Sequence, residues 1–341
     1  MDKLIEWYLC QDPYTEEEKE LLKTLRPEFP EIVDNDTYSE LEKEYFNRMP
    51  FCNISSNTHC IRFDESGSSF INKIFDKEVD DDTLVVSTTY EHGSVQKRLK
   101  EVKNILLLNS DNDIRGYNIE KVINEAKKYK KTFVYIIGTQ LSTGEITPQM
   151  FFEELKQEFI NNNINHKILI DDVHGMFVTP RDYRIFDYVL YTAHSLVNEY
   201  EMGVLISKEN DLGLQAYNWG SEYLKRLDII LSKKEKMMQF KNIMIQYLNK
   251  LIADTSTFRL YNQTANHIFA VETKGIYYSE KEYDKLDSYK IRVSEHKIAN
   301  SWIRIRFQEF TRQTPEKAIE GLHYLFKVIN KAMMIKNMRE G

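Results

Sequence analysis

The feature that most constrains the fold is a regular alternation of short apolar runs with longer amphipathic stretches between residues 82 and 196. Runs of four to eight mostly apolar residues are typical of strands that are buried on both faces. They occupy residues 82–89, 104–108, 132–138, 168–172 and 187–192. Stretches with helical apolar spacing separate them. This alternation predicts an α/β protein whose mostly parallel sheet carries helices on both faces.

The alternation ends at residues 201–207. This apolar run follows the preceding strand too closely to leave room for a crossover helix, so we expect it to pair antiparallel with its neighbour. The chain beyond it predicts a long helix over 212–253, three short strands and a terminal helix that begins near residue 314. A chain of 341 residues also exceeds the size at which one core keeps growing. We therefore predict a large domain of residues 56–215 and a smaller α+β domain that combines 1–55 with 216–341.

Composition narrows the classes of function. The chain is 42% hydrophobic and 29% charged, as an ordinary globular protein is, and its net charge of −7 argues against a nucleic-acid-binding groove. No apolar run is long enough to cross a bilayer, and the acidic N-terminal residues do not resemble a secretory signal. The three cysteines show no metal-ligand spacing and fit a reducing compartment. We expect a cytoplasmic protein with no metal, nucleic-acid or membrane partner.

Polar residues follow two neighbouring predicted strands, where open α/β sheets bind their ligands. Asp171 and His174 follow the first strand, and Thr192, His194 and Ser195 follow the second. These five side chains predict a polar pocket on an apolar scaffold. An alternative stays open, in which the carboxylates merely start a turn and the histidine is an ordinary loop residue.

Other strand ends and helix starts carry residues suited to the same pocket. Ser66-Gly-Ser-Ser69 precedes a helix, and small residues there let backbone N–H groups meet an anion. His92 and Gln140 each follow a strand end, and Arg304 lies on a strand where it can clamp a carboxylate. Each also has a plainer interpretation as a helix cap, a turn residue or a solvated arginine.

The ordered set of motifs resembles the fold type I pyridoxal-phosphate enzymes, the aminotransferase and cysteine-desulfurase superfamily, over residues 60–330. Thr89-Tyr-Glu-His-Gly-Ser-Val95 is similar to the family's Glu-His-x-x-Val segment, and Asp171-Asp-Val-His174 is similar to Asp-Glu-Ala-His. Gln140 to Gly144 falls at the Asn-x-x-x-Gly segment, and Trp302 to Phe307 at the segment with the substrate arginine.

The resemblance implies a role for each matching residue. The implied cofactor is pyridoxal 5′-phosphate or pyridoxamine 5′-phosphate. Its phosphate would be bound by Gly67, Ser68 and Ser69, and its pyridine ring would be contacted by His92 stacked on one face, Asp171 at the ring nitrogen, Gln140 near the phenolic oxygen, and His174 and Thr192 beside the ring. Arg304 would bind the carboxylate of the substrate. The implied assembly is a homodimer with a shared active site, and the implied substrate is a small amino compound such as an amino acid.

One departure from the family pattern concerns the lysine that forms the Schiff base. The family has Ser/Thr-x-His-Lys with a glycine eight positions later, whereas here Thr192-Ala-His194 is followed by Ser195, and Gly203 lies at the expected distance. No lysine occurs between Lys167 and Lys208. Serine forms no imine and is a poor base near neutral pH, so His194 would be the proton shuttle of an enzyme with altered chemistry. The alternatives are an inactive homologue that binds a ligand or partner, and an active enzyme whose lysine was replaced.

Overall fold

The structure is a computed structural model that describes most of the first 253 residues and separate segments beyond them. The described ranges are 15–23, 35–49, 52–64, 66–109, 118–140, 144–177, 179–192, 203–208, 219–253, 259–260, 269–272, 285, 288–289, 291–296, 302–307 and 313–340.

A seven-stranded sheet forms the centre of the fold. Its strands are β1 (Cys60–Asp64), β2 (Thr83–Thr88), β3 (Ile105–Leu108), β4 (Lys131–Ile137), β5 (His166–Asp171), β6 (Tyr188–Thr192) and β7 (Gly203–Ser207). The strand order is β1-β7-β6-β5-β4-β2-β3. The five neighbouring strands β6, β5, β4, β2 and β3 are mutually parallel. β7 runs antiparallel to both of its neighbours, β6 and β1. The predicted mostly parallel sheet and the predicted antiparallel strand are both confirmed.

Helices cover both faces of this sheet, which explains why its strands are apolar on both sides. They are α1 (Glu16–Lys23), α2 (Asn35–Arg48), α3 (Gly67–Glu78), α4 (Gly93–Leu99), α5 (Ile119–Ala126), α6 (Gln149–Asn161), α7 (Trp219–Ala253) and α8 (Pro315–Glu340), with a 3-10 turn at Tyr183–Ile185. Residues of β4 alternate between two buried clusters: Phe133 and Tyr135 pack with α3 and α4, whereas Val134 and Ile136 pack on the side of the other helices. This is the period of two that a strand imposes.

A second sheet lies in the C-terminal third. Its strands β8 (Arg259–Leu260), β9 (Phe269–Glu272), β10 (Ile291–His296) and β11 (Trp302–Phe307) are all antiparallel, in the order β10-β11-β9-β8. Three of these strands lie where the apolar pattern predicts them. The buried cluster that contains the α2 side chain Tyr45 extends to α7 and α8, so one core joins the N-terminal and C-terminal helices to the large sheet. The division into two domains stays a prediction.

Membrane-spanning helices and metal-binding groups are both absent among the described residues. None of the described helices combines the length and the apolar composition that a membrane crossing needs. Within the same ranges, no three side chains of histidine, cysteine, aspartate or glutamate lie together in a group suited to a metal ion.

Candidate active site at the carboxyl edge of the sheet

The start of α3 lies directly against the end of β6 and the start of β7. A Cβ atom on Gly203 would lie 2.5 Å from the carbonyl carbon of Ser66, so only glycine permits this approach of two backbones. A Cβ atom on Gly67 would lie 3.1 Å from Cγ2 of Thr192. The structure therefore brings the predicted phosphate segment beside Thr192, which is buried at the end of β6.

Ser66 is the N-cap of α3, and its Oγ accepts a hydrogen bond from the Ser69 backbone N–H at 3.2 Å. The Ser69 hydroxyl donates to Oδ2 of Asp64 at 2.7 Å, and the Lys73 ammonium binds the same oxygen. Both polar groups of Ser69 thus have partners within the protein. An anion at this helix end would meet the backbone N–H groups of Gly67 and Ser68 and the positive end of the helix dipole.

Asp171 ends β5 and is only 4% exposed. Its Oδ2 accepts a hydrogen bond from the Tyr135 hydroxyl at 2.6 Å, and its Oδ1 accepts one from the Val173 backbone N–H at 3.3 Å. Burial raises the pKa of Asp171 above its ordinary value, and these two donors oppose the rise. Tyr135 has no signal in the sequence, because a tyrosine inside an apolar strand is an ordinary core residue.

His92 is the N-cap of α4, which agrees with the alternative interpretation of this residue as a helix cap. Its Nδ1 accepts a hydrogen bond from the Ser94 backbone N–H at 3.3 Å, so in the neutral ring Nε2 carries the proton. The side chain is exposed, yet it lies close enough to Asp171 to lower the pKa of that carboxyl. His92 is therefore both a helix cap and a neighbour of the predicted ring-binding carboxylate.

Glu91 is a second buried carboxyl at this edge, and sequence analysis did not single it out. Its Oε1 accepts hydrogen bonds from the Thr88 hydroxyl at 2.6 Å and from the Ile137 backbone N–H at 3.3 Å. Burial raises the pKa of Glu91 to about 8, and the charge of Asp171 adds to the rise. Its adjacency to His92 in the family-like motif is the one sequence signal that points to it.

Gln140 and His174 are both buried near the same strand ends. The Gln140 backbone N–H donates to the Glu145 carbonyl at 2.8 Å, and the Gly144 N–H donates to the Gln140 carbonyl at 2.9 Å. Gly144 has a φ of 70°, a conformation that favours glycine. These hydrogen bonds join the first and last residues of the predicted turn after β4. Residues 141–143, in the middle of the turn, lie outside the described residues.

Asp172 belongs to a buried cluster with Arg181 and Tyr183. Its Oδ2 lies 3.3 Å from Arg181 Nε and accepts a hydrogen bond from the Tyr183 hydroxyl. The Arg181 guanidinium also donates to the carbonyls of Thr147 and Gly138, at 2.9 and 2.6 Å. This cluster joins the turn after β4 to the loop after β5. The two adjacent aspartates therefore differ in their partners. Asp172 pairs with Arg181 and holds the loop, whereas Asp171 has no ion-pair partner among the described residues.

Three predicted site residues lie wholly or partly outside the described residues. His194 and Ser195 lie outside the described residues, so their predicted roles stay predictions. The backbone of Arg304 lies in β11, paired with Ala270 and Ser294, as the strand prediction requires. Its side chain also lies outside the described part of the chain, and its substrate role stays a prediction.

Comparisons with known proteins give a consistent result for the fold. No family model and no curated protein sequence matches this chain. A NifS-like protein from Rickettsia africae ESF-5 superposes with a TM-score of 0.70 at 16% identity, covering 94% of this chain and 97% of its own. A variant of serine palmitoyltransferase from S. paucimobilis, with a bound PLP–myriocin aldimine, has a TM-score of 0.64 at 13% identity, covering 93% of this chain and 83% of its own.

A PLP-bound protein from Clostridium difficile 630 that carries an aminotransferase assignment also superposes on the chain. Its TM-score is 0.64 at 12% identity, and the match covers 92% of this chain and 90% of that one. All three superpositions extend over more than nine-tenths of this chain. At these identities the likeness concerns the fold. The protein adopts the fold of the fold type I pyridoxal-phosphate enzymes.

Proposed function

We propose that the protein is a B6-binding, aminotransferase-like enzyme that acts on an amino acid or another small amino compound. The observation that carries the proposal is the buried Asp171 carboxylate at the carboxyl edge of the sheet, which accepts a hydrogen bond from Tyr135 and whose pKa is lowered by His92. The Asp171 carboxylate is only 4% exposed and has no ion-pair partner among the described residues. Such a carboxylate suits a ligand that brings a positive charge. A protonated pyridine nitrogen is such a charge.

The residues at this edge fit pyridoxal 5′-phosphate or pyridoxamine 5′-phosphate. Asp171 would hold the proton on the ring nitrogen, and the exposed ring of His92 would cover one face of the pyridine. The close approach of Gly203 to Ser66 leaves the first N–H groups of α3 beside the end of β6, where they would bind the phosphate. When bound, the cofactor supplies an electron sink for reactions at the substrate carbon next to the amine.

The proposed chemistry of the reacting end rests on sequence positions. His194 would move the substrate proton, because its ordinary pKa lies near neutral pH. Ser195 would leave the cofactor without a covalent link to the protein. Arg304 would bind the substrate carboxylate through two parallel hydrogen bonds. We further propose a cytoplasmic location, which the small number of cysteines in the sequence supports.

A second candidate function is a homologue without catalytic activity that binds a ligand or a partner chain. The observation that favours it is the absence of any lysine between Lys167 and Lys208 in the sequence. Absorbance separates the two candidates. A shift in the near-ultraviolet or visible band of added pyridoxal or pyridoxamine phosphate supports the enzyme, whereas an unchanged free-cofactor spectrum supports the second candidate.

Replacing Asp171 by alanine should weaken binding of pyridoxamine phosphate by about tenfold to a hundredfold. The change removes a charge-assisted hydrogen bond of roughly 1.5–3 kcal/mol to the ring nitrogen. Titration of the cofactor absorbance gives the dissociation constants. Asp82→Ala is the matched control, because Asp82 is 58% exposed and precedes β2 at the opposite edge of the sheet. Equal affinity of the Asp171 variant and the unchanged protein would reduce Asp171 to a strand-end residue.

We propose that the protein assembles as a homodimer with an active site shared by both chains. The exposed His92 ring at the pocket supports this arrangement, since a second chain would close that side. Closed two-fold dimers are also the commonest form of homo-oligomer. Sedimentation velocity at micromolar concentration should therefore give the mass of two chains. A stable single chain of 40.6 kDa would contradict the proposal.

A further inference from the structure

Glu91 connects three elements of the candidate site. It follows the end of β2, and its Oε1 is bound by the Thr88 hydroxyl of that strand and by the Ile137 backbone N–H of β4. Its backbone carbonyl accepts a hydrogen bond from Gln96 Nε2 of α4 at 2.8 Å. The side chain is 3% exposed, and it directly precedes His92. Its position is therefore fixed by hydrogen bonds to β2, β4 and α4.

The two carboxyl oxygens of Glu91 have different surroundings. Oε1 has two donors, whereas Oε2 is buried and has no hydrogen-bond partner among the described residues. An ionised carboxylate spreads its charge over both oxygens, and burying one of them without a donor is costly. A carboxylic acid places its proton on one oxygen and accepts at the other. The donors at Oε1 and the bare Oε2 match the acid with its proton on Oε2.

The neighbouring charges lead to the same assignment. The charge of Asp171 raises the pKa of Glu91, and each Asp171 oxygen has a donor, from Tyr135 of β4 and from Val173. His92, the N-cap of α4, lowers the pKa of Asp171, whereas the charge of Asp172 raises it and is itself offset by Arg181. Two interacting buried carboxyls do not ionise together readily, and the charge stays on Asp171, whose two oxygens both have donors, whereas both donors of Glu91 bind Oε1.

We propose that Glu91 is a neutral carboxylic acid in the folded protein, a positioning residue that leaves Asp171 as the single negative charge facing the ligand. The pocket would then suit a ligand whose buried end carries one positive charge. The role toward the ligand rests on the proposed function, whereas the proton state of Glu91 does not.

The pH dependence of stability tests the proton state on the protein without cofactor. In the unfolded chain Glu91 ionises near its ordinary pKa of 4.5, whereas the folded protein keeps the proton until pH is about 8. Rising pH therefore favours unfolding of the unchanged protein, by up to tenfold per pH unit in the equilibrium constant. Glu91→Gln has the shape of the acid and cannot ionise. The ratio of the two unfolding constants, from urea titrations, should rise steadily between about pH 5 and 8.

A ratio that stays constant over that range would overturn the proposal, because Glu91 would then be ionised in the folded state. Asp171, Asp172, Tyr135 and His92 are present in both proteins, so the comparison isolates Glu91. Carbon-13 NMR of the unchanged protein, labelled at glutamate side-chain carboxyls, needs no variant. One glutamate should titrate near pH 8, and a set of signals that all titrate below pH 6 would also overturn the proposal.

Pyridoxamine phosphate binding at pH 7 tests the role. Glu91→Ala should weaken binding, and Glu91→Gln should restore it to within about threefold of the unchanged protein, since glutamine is neutral and fills the same space. A tenfold or greater loss in the glutamine variant would overturn the role, because it would show that a charged Glu91 is needed. If the unchanged protein binds no B6 compound, the proposed function fails while the stability test still decides the proton state.

Discussion

Replacing Arg181 by methionine should destabilise the folded protein by about 3–5 kcal/mol, the range seen when one partner of a buried ion pair is removed. Arg181 and Asp172 are almost fully buried, with side-chain exposures of 1% and 0%. The change leaves the Asp172 carboxylate with the Tyr183 hydroxyl alone. It also removes the guanidinium donors of the Thr147 and Gly138 carbonyls, of which Gly138 keeps only the Thr147 N–H. Urea unfolding at pH 7 measures the loss of stability.

The matched control is Arg184→Met, three residues further along the same loop. Arg184 is 65% exposed and pairs with Asp182 at the surface, so this change should cost less than about 1 kcal/mol. A similar small cost for Arg181→Met would show that the buried cluster is not an anchor.

The effect of Arg181→Met should depend on pH with a definite sign. Burial already raises the pKa of Asp172, and Arg181 opposes that rise. Without Arg181 the folded-state pKa rises further above the unfolded value, so stability is retained at low pH and lost as pH rises. The difference in stability between the unchanged protein and the variant should therefore be smaller at pH 5 than at pH 8. A difference that grows toward low pH would contradict this account of Asp172.

The change Ser195→Lys should turn a protein that binds pyridoxal phosphate non-covalently into one that binds it covalently. The family-like spacing of His194 and Gly203 around this position would place the new amine within reach of the bound aldehyde. Partial desolvation in the pocket lowers the pKa of a lysine and favours its nucleophilic, neutral form. The variant should become yellow with pyridoxal phosphate, and borohydride should fix the cofactor to residue 195, as peptide mass analysis would show.

The unchanged protein and Ser195→Met are the controls, since a methionine of similar length offers no amine. Neither should give a borohydride-stable adduct at residue 195. A lysine variant that binds pyridoxal phosphate and yields no adduct would show that the alignment through Thr192-Ala-His-Ser is wrong. An adduct on some other lysine of the unchanged protein would refute the proposal that its site lacks a lysine.

The sequence alone determined the architecture of the large sheet. Apolar runs predict β2 to β7, and the short connection before Gly203 predicts the antiparallel direction of β7. These signals are local, because a strand buried on both faces must be apolar throughout its length. β1 was not predicted, since an edge strand of alternating burial with Arg62 inside it has a weaker local pattern.

Only the tertiary structure decided how the polar residues of the site are divided. Asp171 and Asp172 are adjacent in the sequence, but one accepts from Tyr135 and the other pairs with Arg181, 36 and 9 residues away. Glu91 is likewise ordinary as a sequence position and becomes unusual because the ends of β2 and β4 enclose it. Hydrogen bonding and burial set the charge of a carboxyl, and both depend on neighbours that the folded sheet brings together.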